Sequence, residues 1–194
     1  TDGHGVQQIT ELGPVVDGVH YEVDCLIYAS GFEVMTDYWR RIGFDPVGRD
    51  GVTLSREWAE GPHTLHGVHT RGFPNLLMLS TIQGGQALNF LHTITATALH
   101  IAWIIEHCAH EGITAIEPTP EAEEQWFQTI FGTLMSVADY NETCTPGYLT
   151  NEGEADMRSA RCAAYLGRPF DFISHIAAWR DAGGLAGLTV GTQR

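Results

Sequence analysis

The chain has 194 residues, 43% of them hydrophobic, with 24 acidic side chains against 10 lysines and arginines. That length buries one substantial core, or one and a half small ones. A formal charge of −14 excludes nucleic acid and anionic membrane surfaces as partners, because both select basic faces. The cysteines Cys25, Cys108, Cys144 and Cys162 lie far apart with no C-x-x-C pair. They are expected as reduced thiols, not as a disulfide framework, a redox dithiol or a zinc site. The composition fits a soluble cytoplasmic enzyme. The chain opens Thr1-Asp2-Gly3-His4-Gly5 with neither an initiator Met nor a signal peptide, which reads as a processed or truncated piece of something larger.

Residues 6–9 and about 15–23 are expected as a β-hairpin, because Asp17-Gly18 between valines is a strong two-residue turn signal. The run Asp24-Cys25-Leu26-Ile27-Tyr28-Ala29-Ser30-Gly31-Phe32 follows. Its stretch 24–29 is apolar after the opening acid, as in a strand covered on both faces of an α/β sheet. The small residues at its end let the backbone approach a flat or charged ligand closely. Asp45-Pro46, Arg49-Asp50-Gly51 and Glu60-Gly61-Pro62 read as turns, with one helical turn at 55–58.

Gly72-Phe73-Pro74-Asn75 is a turn into Leu76-Leu77-Met78-Leu79-Ser80, a second apolar strand. Gln83-Gly84-Gly85 is a loop, and a long helix is expected from close to Gln86 to near Gly112. Leu88, Leu91, Thr95, Ala98, Ala102 and Ile105 recur in it at helical spacing. Gly72 to Ile105 holds no Asp, Glu, Lys or Arg, yet its prolines, amides and threonines make it too polar for a bilayer. It reads as a buried strand–loop–helix unit. Glu117-Pro118-Thr119-Pro120 is expected as a hinge dividing 1–117 from 118–194. Thr119 then caps a helix with acidic residues in its first turn and Trp126, Phe127, Ile130, Phe131, Leu134 and Val137 along it. A loop over 141–154 and a short helix over 170–180, stopped by Gly183-Gly184, complete the chain.

A strand, a Gly-bearing loop and a helix together present helix N-terminal amides to an electron-rich group. Any α/β protein can carry one such loop, so the pattern alone only nominates a site. His63, His66 and His69 have H-x-x-H-x-x-H spacing. Steps of three alternate faces on a strand, and Gly61-Pro62 and Gly67 oppose a helix, so solvent-facing histidines are expected and no metal site. His107, Cys108 and His110 read as side chains compatible with a helix C-terminus, not ligands. His92 and His100 read as satisfied core histidines, with cavity lining as the alternative. Trp126, Phe127, Phe131 and Tyr140 read as core, and the glutamates at 121–124 as a solvated helix start.

The ordered set of motifs is more specific than any member. D-x-x-x-x-A-[TS]-G-F at 24–32 is followed by G-F-P-N-L at 72–76, the Gly-bearing loop and the uncharged helix. E-P-T-P-E-A-E at 117–123, C-T-P-G-Y at 144–148, N-E-G at 151–153 and W-R-x-x-G around Trp179 complete it. This order resembles the C-terminal region of Baeyer–Villiger-type and related flavin monooxygenases, with Ser30 in place of the family's threonine. The resemblance implies an α/β fragment: residues 1–117 supply the closing strands and long helix of a Rossmann-like FAD-binding domain, and 118–194 a mostly helical C-terminal extension. It implies FAD and NADP as cofactors, both bound mainly by residues outside this chain, since neither G-x-G-x-x-G nor F-x-G-x-x-x-H is present.

By the same resemblance Ala29, Ser30, Gly31 and Phe32, with Gln86, Ala87 and Leu88, are the flavin contacts. Tyr140 and Asn141 match a region that approaches NADP and substrate. No catalytic residue is assigned. The whole protein would use NADPH and O2 to insert one oxygen atom into a ketone, or add it to an amine nitrogen or sulfur, and this piece alone would be inactive. The loop at 80–86 departs from the Gly-, Pro- and Ser-rich pattern of the better-known ketone oxidisers. The rival reading is a non-catalytic acidic oligomerisation or regulatory module, and the lack of a cysteine pair opposes a flavin disulfide reductase. On either reading the uncovered apolar strands favour self-association.

Overall fold

The computed structural model describes residues 5–29, 37–87, 89–136 and 156–192. The chain opens as a three-stranded antiparallel meander, β1 (Gln8–Thr10), β2 (Gly13–Val16) and β3 (Val19–His20). Asp17 and Gly18 join the last two with φ of 50° and 74°, the paired positive values of the tight hairpin turn that such a dipeptide favours. Tyr21 and Val23 prolong the pairing through their amides to the Pro14 and Leu12 carbonyls.

The run 24–29 does not continue as a strand. Its described residues are exposed, Ile27 by 82% and Tyr28 by 73%. A strand apolar on both faces needs neighbours at its edges and cover above and below, and the described residues supply neither. Residues 76–80 likewise form no ladder: Met78 is fully buried and its amide reaches the Val68 carbonyl, but Leu79 stays exposed. The two expected buried strands are corrected to unpaired segments.

Two short helices follow, α1 (Tyr38–Ile42) and α2 (Leu54–Glu57), the latter being the expected helical turn. They pack in one core of Leu54, Trp58, Phe73, Met78 and Ile82. The turn at Gly72–Asn75 forms as expected, with φ of 80° and 63° at its ends. The Asn75 side chain docks it sideways: Oδ1 accepts from the Ile116 amide at 3.0 Å and Nδ2 donates to the Thr114 carbonyl at 2.9 Å.

The long helix α3 (Phe90–His110) begins later than Gln86. Asn89 caps it, its side chain accepting from the His92 amide, while Gly85 is held by a bridge to Tyr165. Gly112 closes it at φ 67°. The buried positions are Thr93, Thr97, His100 and Ile104, so the face that packs is not the Leu91–Ile105 stripe, whose described members are exposed.

The expected hinge is a strand. β4 (Ile113–Pro118) runs through 117–118 and pairs antiparallel with β5 (Leu188–Thr192). Thr119 caps α4 (Pro120–Met135) as expected, accepting from the Ala122 amide at 3.2 Å with Pro120 in the first turn. α5 (Met157–Arg161) starts at a reciprocal Asp156–Ser159 cap. α6 (Pro169–Asp181) is stopped by Gly183 and Gly184 at φ 106° and 68°. The second core joins α4 and α6 to Leu65, through Trp126, Ile130, Phe172 and Ile176, with Leu188 of β5 packed against it.

Between the cores runs 61–70, buried throughout although it holds little regular structure. A buried loop must satisfy its own polar backbone. Here the Leu65 amide donates to the His69 carbonyl, the Val68 and His69 amides return to Leu65, and the Gly67 amide reaches Thr64 Oγ1. His63, His66 and His69 are therefore core residues, 9%, 2% and 1% exposed, which corrects the solvent-facing expectation.

Candidate functional site

The loop at 81–87 connects Met78 to α3, and one side chain holds it. Gln83 is fully buried at φ 52°. Its Oε1 accepts from the Thr64 amide at 3.1 Å and from Thr64 Oγ1 at 2.9 Å. Its Nε2 donates to the Pro62 and Arg161 carbonyls at 2.8 and 2.9 Å. The Gln83 amide donates to the Ala163 carbonyl, and Trp126 Nε1 donates to the Gln83 carbonyl, both at 2.9 Å. One residue further on, the Tyr165 amide donates to the Gly84 carbonyl at 2.8 Å. At Gly85 a Cβ would collide with the Phe172 ring and sit 2.6 Å from Thr93 Cγ2, so only glycine lets the loop lie this close to α3 and α6.

The seam between loop and Tyr165 opens into a cleft of about 270 Å³, lined by Gln86, Ala87, Tyr165, Leu166, Gly167 and Pro169. A smaller cavity of about 60 Å³ lies among Arg41, Ser80, Thr81, Phe90, Thr93 and Thr97. Arg41 Nη2 donates to Ser80 Oγ at 3.4 Å, whereas Thr81 Oγ1 and Thr93 Oγ1 are buried without a hydrogen-bond partner.

Two polar clusters back this seam. In the first, His63 Nε2 lies 3.2 Å from Glu57 and its Nδ1 3.0 Å from Glu123. Glu123 Oε1 accepts from the Arg71 amide at 2.7 Å. Glu123 is 2% exposed, so one of the expected solvated glutamates is a buried anchor instead. In the second, the His66 ring sits edge-on to Trp126, His175, Trp179 and His100 at 5.0 to 5.8 Å. Burial holds the His66 imidazole well below its ordinary pKa, helped by the rings of His100, His175 and His69. Burial also lowers His69 to about 4. His100 falls to about 3, through burial first and then the Arg180 guanidinium 3.0 Å from its Nδ1. His92, by contrast, is exposed and only rests edge-on against Phe170, which corrects its placement in the core. His107 stacks on Trp103 in the last turn of α3.

Of the residues singled out in the sequence, the structure brings Gln86 and Ala87 together in the larger cleft. Ala29 is exposed. Ser30, Gly31, Phe32, Leu88, Tyr140 and Asn141 lie outside the described residues, as do Val137 and the C-T-P-G-Y and N-E-G motifs. Sequence reasoning missed Gln83 and the opposite wall, Tyr165–Pro169. The signal for that wall was Gly167 followed by Pro169 at a helix start. Cys25, Cys108 and Cys162 are free thiols, and Cys144 is outside the described residues. Among the described residues no group of three or more His, Cys, Asp or Glu side chains could hold a metal ion, and no helix is long and apolar enough to cross a membrane.

No family model matches the chain. Individual proteins do. The FAD-binding monooxygenase hmp7 of Hypomyces subiculosus is 39% identical over 188 residues, which is 97% of this chain and 31% of that protein. The Baeyer–Villiger monooxygenase ATR8 of Stachybotrys chlorohalonatus is 37% identical over 193 residues, 98% of this chain and 31% of its own length. In structure, the polycyclic ketone monooxygenase of Thermothelomyces thermophila superposes with a TM-score of 0.71 at 33% identity, covering 97% of this chain and 31% of that one. An oxidised steroid monooxygenase bound to NADP gives 0.69 at 25% identity, covering 98% and 34%. These likenesses first define a class, the monooxygenases, some of them FAD-binding by name. Among them, a protein named as a Baeyer–Villiger monooxygenase is similar to this chain over nearly the chain's whole length. It spans about a third of the length of the curated relatives it matches.

Proposed function

We propose that this chain is the C-terminal part of a FAD- and NADPH-dependent Baeyer–Villiger monooxygenase, and that the loop at 83–87 meets the edge of the flavin ring. FAD supplies the redox chemistry by which NADPH and O2 deliver one oxygen atom to a ketone, or to an amine nitrogen or sulfur. The observation that carries the reading is the cleft at Gln86 and Ala87, the positions the family resemblance nominates, closed on its far side by Tyr165 and Pro169. Its residues fit a flat heteroaromatic edge: apolar walls for the ring faces, and the Gln86 amide for a ring carbonyl or nitrogen. Ala29 to Phe32 and Leu88 complete the flavin contacts in this scheme, and Tyr140 and Asn141 face NADP and substrate.

The chain's own contribution is positional. The loop fixes the ring's edge, Tyr165 and the neighbouring Leu166 to Pro169 exclude water from one side, and no residue here moves a proton. The cofactor's phosphates belong to residues outside the chain, since the dinucleotide fingerprints are absent. The uncovered stripe of α3 and the exposed Leu26–Tyr28 segment are then surfaces that the rest of a Rossmann-like FAD domain covers, where the segment acquires its strand partners. The substrate is a small molecule, the compartment is the cytoplasm, and 194 residues alone turn nothing over.

The experiment is to express the full-length protein that carries this sequence and assay it with a panel of ketones, amines and sulfides. Bound yellow cofactor and ketone-dependent NADPH oxidation with a lactone or ester product are expected. A folded full-length protein without flavin absorbance overturns the reading. A start codon close to Thr1, with no upstream frame bearing two G-x-G-x-x-G motifs, favours the acidic regulatory module.

A further inference from the structure

We propose that Gln83 is a positioning residue: its side chain ties the Arg161 carbonyl, at the exit of α5, to the buried run 62–64, and so sets how 161–165 lies against the loop at 84–87 and the width of the cleft that receives the ring edge. The proposal rests on the functional reading above for its consequence, but on geometry for its substance.

Gln83 lines neither cavity. It acts through what it ties together. Both amide hydrogens and two acceptor positions of its side chain are engaged, the hydrogens on Pro62 and Arg161 carbonyls and the oxygen on Thr64. The main chain adds Ala163 on one side and Trp126 on the other. Gln83 thus binds three stretches distant in sequence: the buried run 62–64, α4 and the exit of α5. The exit of α5 leads directly to Tyr165, whose amide bonds Gly84 and whose backbone pairs with Gly85. Gln86 and Ala87 follow on one strand of that seam, Leu166 and Gly167 on the other. A slip at Gln83 therefore moves both walls of the cleft relative to each other.

No common side chain replaces this one. Glutamate keeps the acceptor but has no hydrogens for the two carbonyls. Leucine strands both carbonyls and the Thr64 donors in a dry interior. Asparagine tolerates the positive φ and keeps the amide, but is a methylene short and cannot span Pro62 and Arg161 together. Glycine keeps the backbone conformation and deletes the clasp.

The test uses Gln83→Gly and Gln83→Asn in the full-length flavoprotein, with amide hydrogen exchange, the visible flavin spectrum and steady-state kinetics as readouts. Expected are a native circular dichroism spectrum and exchange at the Tyr165 amide faster by about tenfold or more. The flavin absorbance should shift, and KM for the ketone should rise by roughly tenfold with kcat changed far less. If Gln83→Gly does not fold, Gln83→Asn carries the measurement. Unchanged Tyr165 exchange in a folded variant overturns the clasp. Faster exchange with an unaltered flavin spectrum and KM overturns the positioning role. A wild-type protein that binds no flavin defeats the proposed function instead, and exchange at Tyr165 then decides the clasp by itself.

Discussion

Four imidazoles, those of His66, His69, His100 and His175, meet behind the loop, and burial holds all four below their ordinary pKa. The Arg180 contact fixes the tautomer of one of them. A guanidinium can only donate, so His100 Nδ1 accepts, the ring hydrogen sits on Nε2, and that nitrogen has no hydrogen-bond partner. In the unfolded chain the same rings bind a proton near pH 6.5, whereas folded His69 and His100 wait until about 4 and about 3. The unfolded state thus binds more protons between these limits, and stability must fall as pH drops below about 6.5. Each such imidazole removes roughly 1.4 kcal/mol per pH unit until its folded value is reached. Urea midpoints at pH 7.5 and 8 should agree, and those at pH 5.5 and 5 should descend steeply. A profile flat from pH 8 to 5 would contradict the buried neutral cluster. Little of this was legible beforehand. The H-x-x-H-x-x-H spacing says nothing of burial, because the rings packed around His66 belong to Trp126, Trp179 and His100, side chains remote in sequence.

At the scale of elements, what was readable was local. Asp17-Gly18 specified its turn, Thr119-Pro120 its helix start, and Gly112 and Gly183-Gly184 their helix ends, because each signal acts within a few residues. β4 and β5 were missed because a strand is defined by its partner, and Ile116 pairs with Val190 across the whole of α4 to α6. Periodicity found α3 but chose the wrong face. Leu91 is 74% and Ile105 57% exposed, while the packed face carries Thr93, Thr97 and His100, which hydropathy ranks lower. This asymmetry makes a prediction. In the 194-residue chain, Leu91→Glu removes no buried contact and should shift stability by less than about 0.5 kcal/mol. In the full-length flavoprotein the same carboxylate would lie unpaired against an apolar neighbour, costing several kcal/mol. Thermal melts of both proteins, with flavin retention measured alongside, separate the cases. A large loss in the short chain would mean that this face is covered by the chain itself. Of the candidate site, the Gln86–Ala87 wall was legible through the motif order, whereas Gln83 and Tyr165 were not, since their roles arise only when three distant segments meet.

For the molecule as a whole, two opposed forces decide whether copies of this chain stay apart. Apolar exposure is large and grouped: Leu26, Ile27 and Tyr28 on one segment, Leu91, Leu99 and Ile105 on α3, and Phe170 at the start of α6. Patches of that kind drive association at roughly 25 cal/mol for each Å² covered. Against them stands a formal charge of −14. At about 10 mM salt the screening length is about 30 Å, comparable with the size of the chain, so every approach of two copies is resisted by the full charge of both. Near 1 M salt it shrinks to about 3 Å, and only the apolar term remains. Self-association should therefore strengthen with salt, the reverse of an interface built from ion pairs. Sedimentation velocity at fixed protein concentration should show monomer at low salt and a rising weight-average mass as sodium chloride is added. The double variant Ile27→Glu, Leu91→Glu should remain monomeric throughout. Association that weakens with salt would place the contact on charged groups and leave the apolar faces without a role in it.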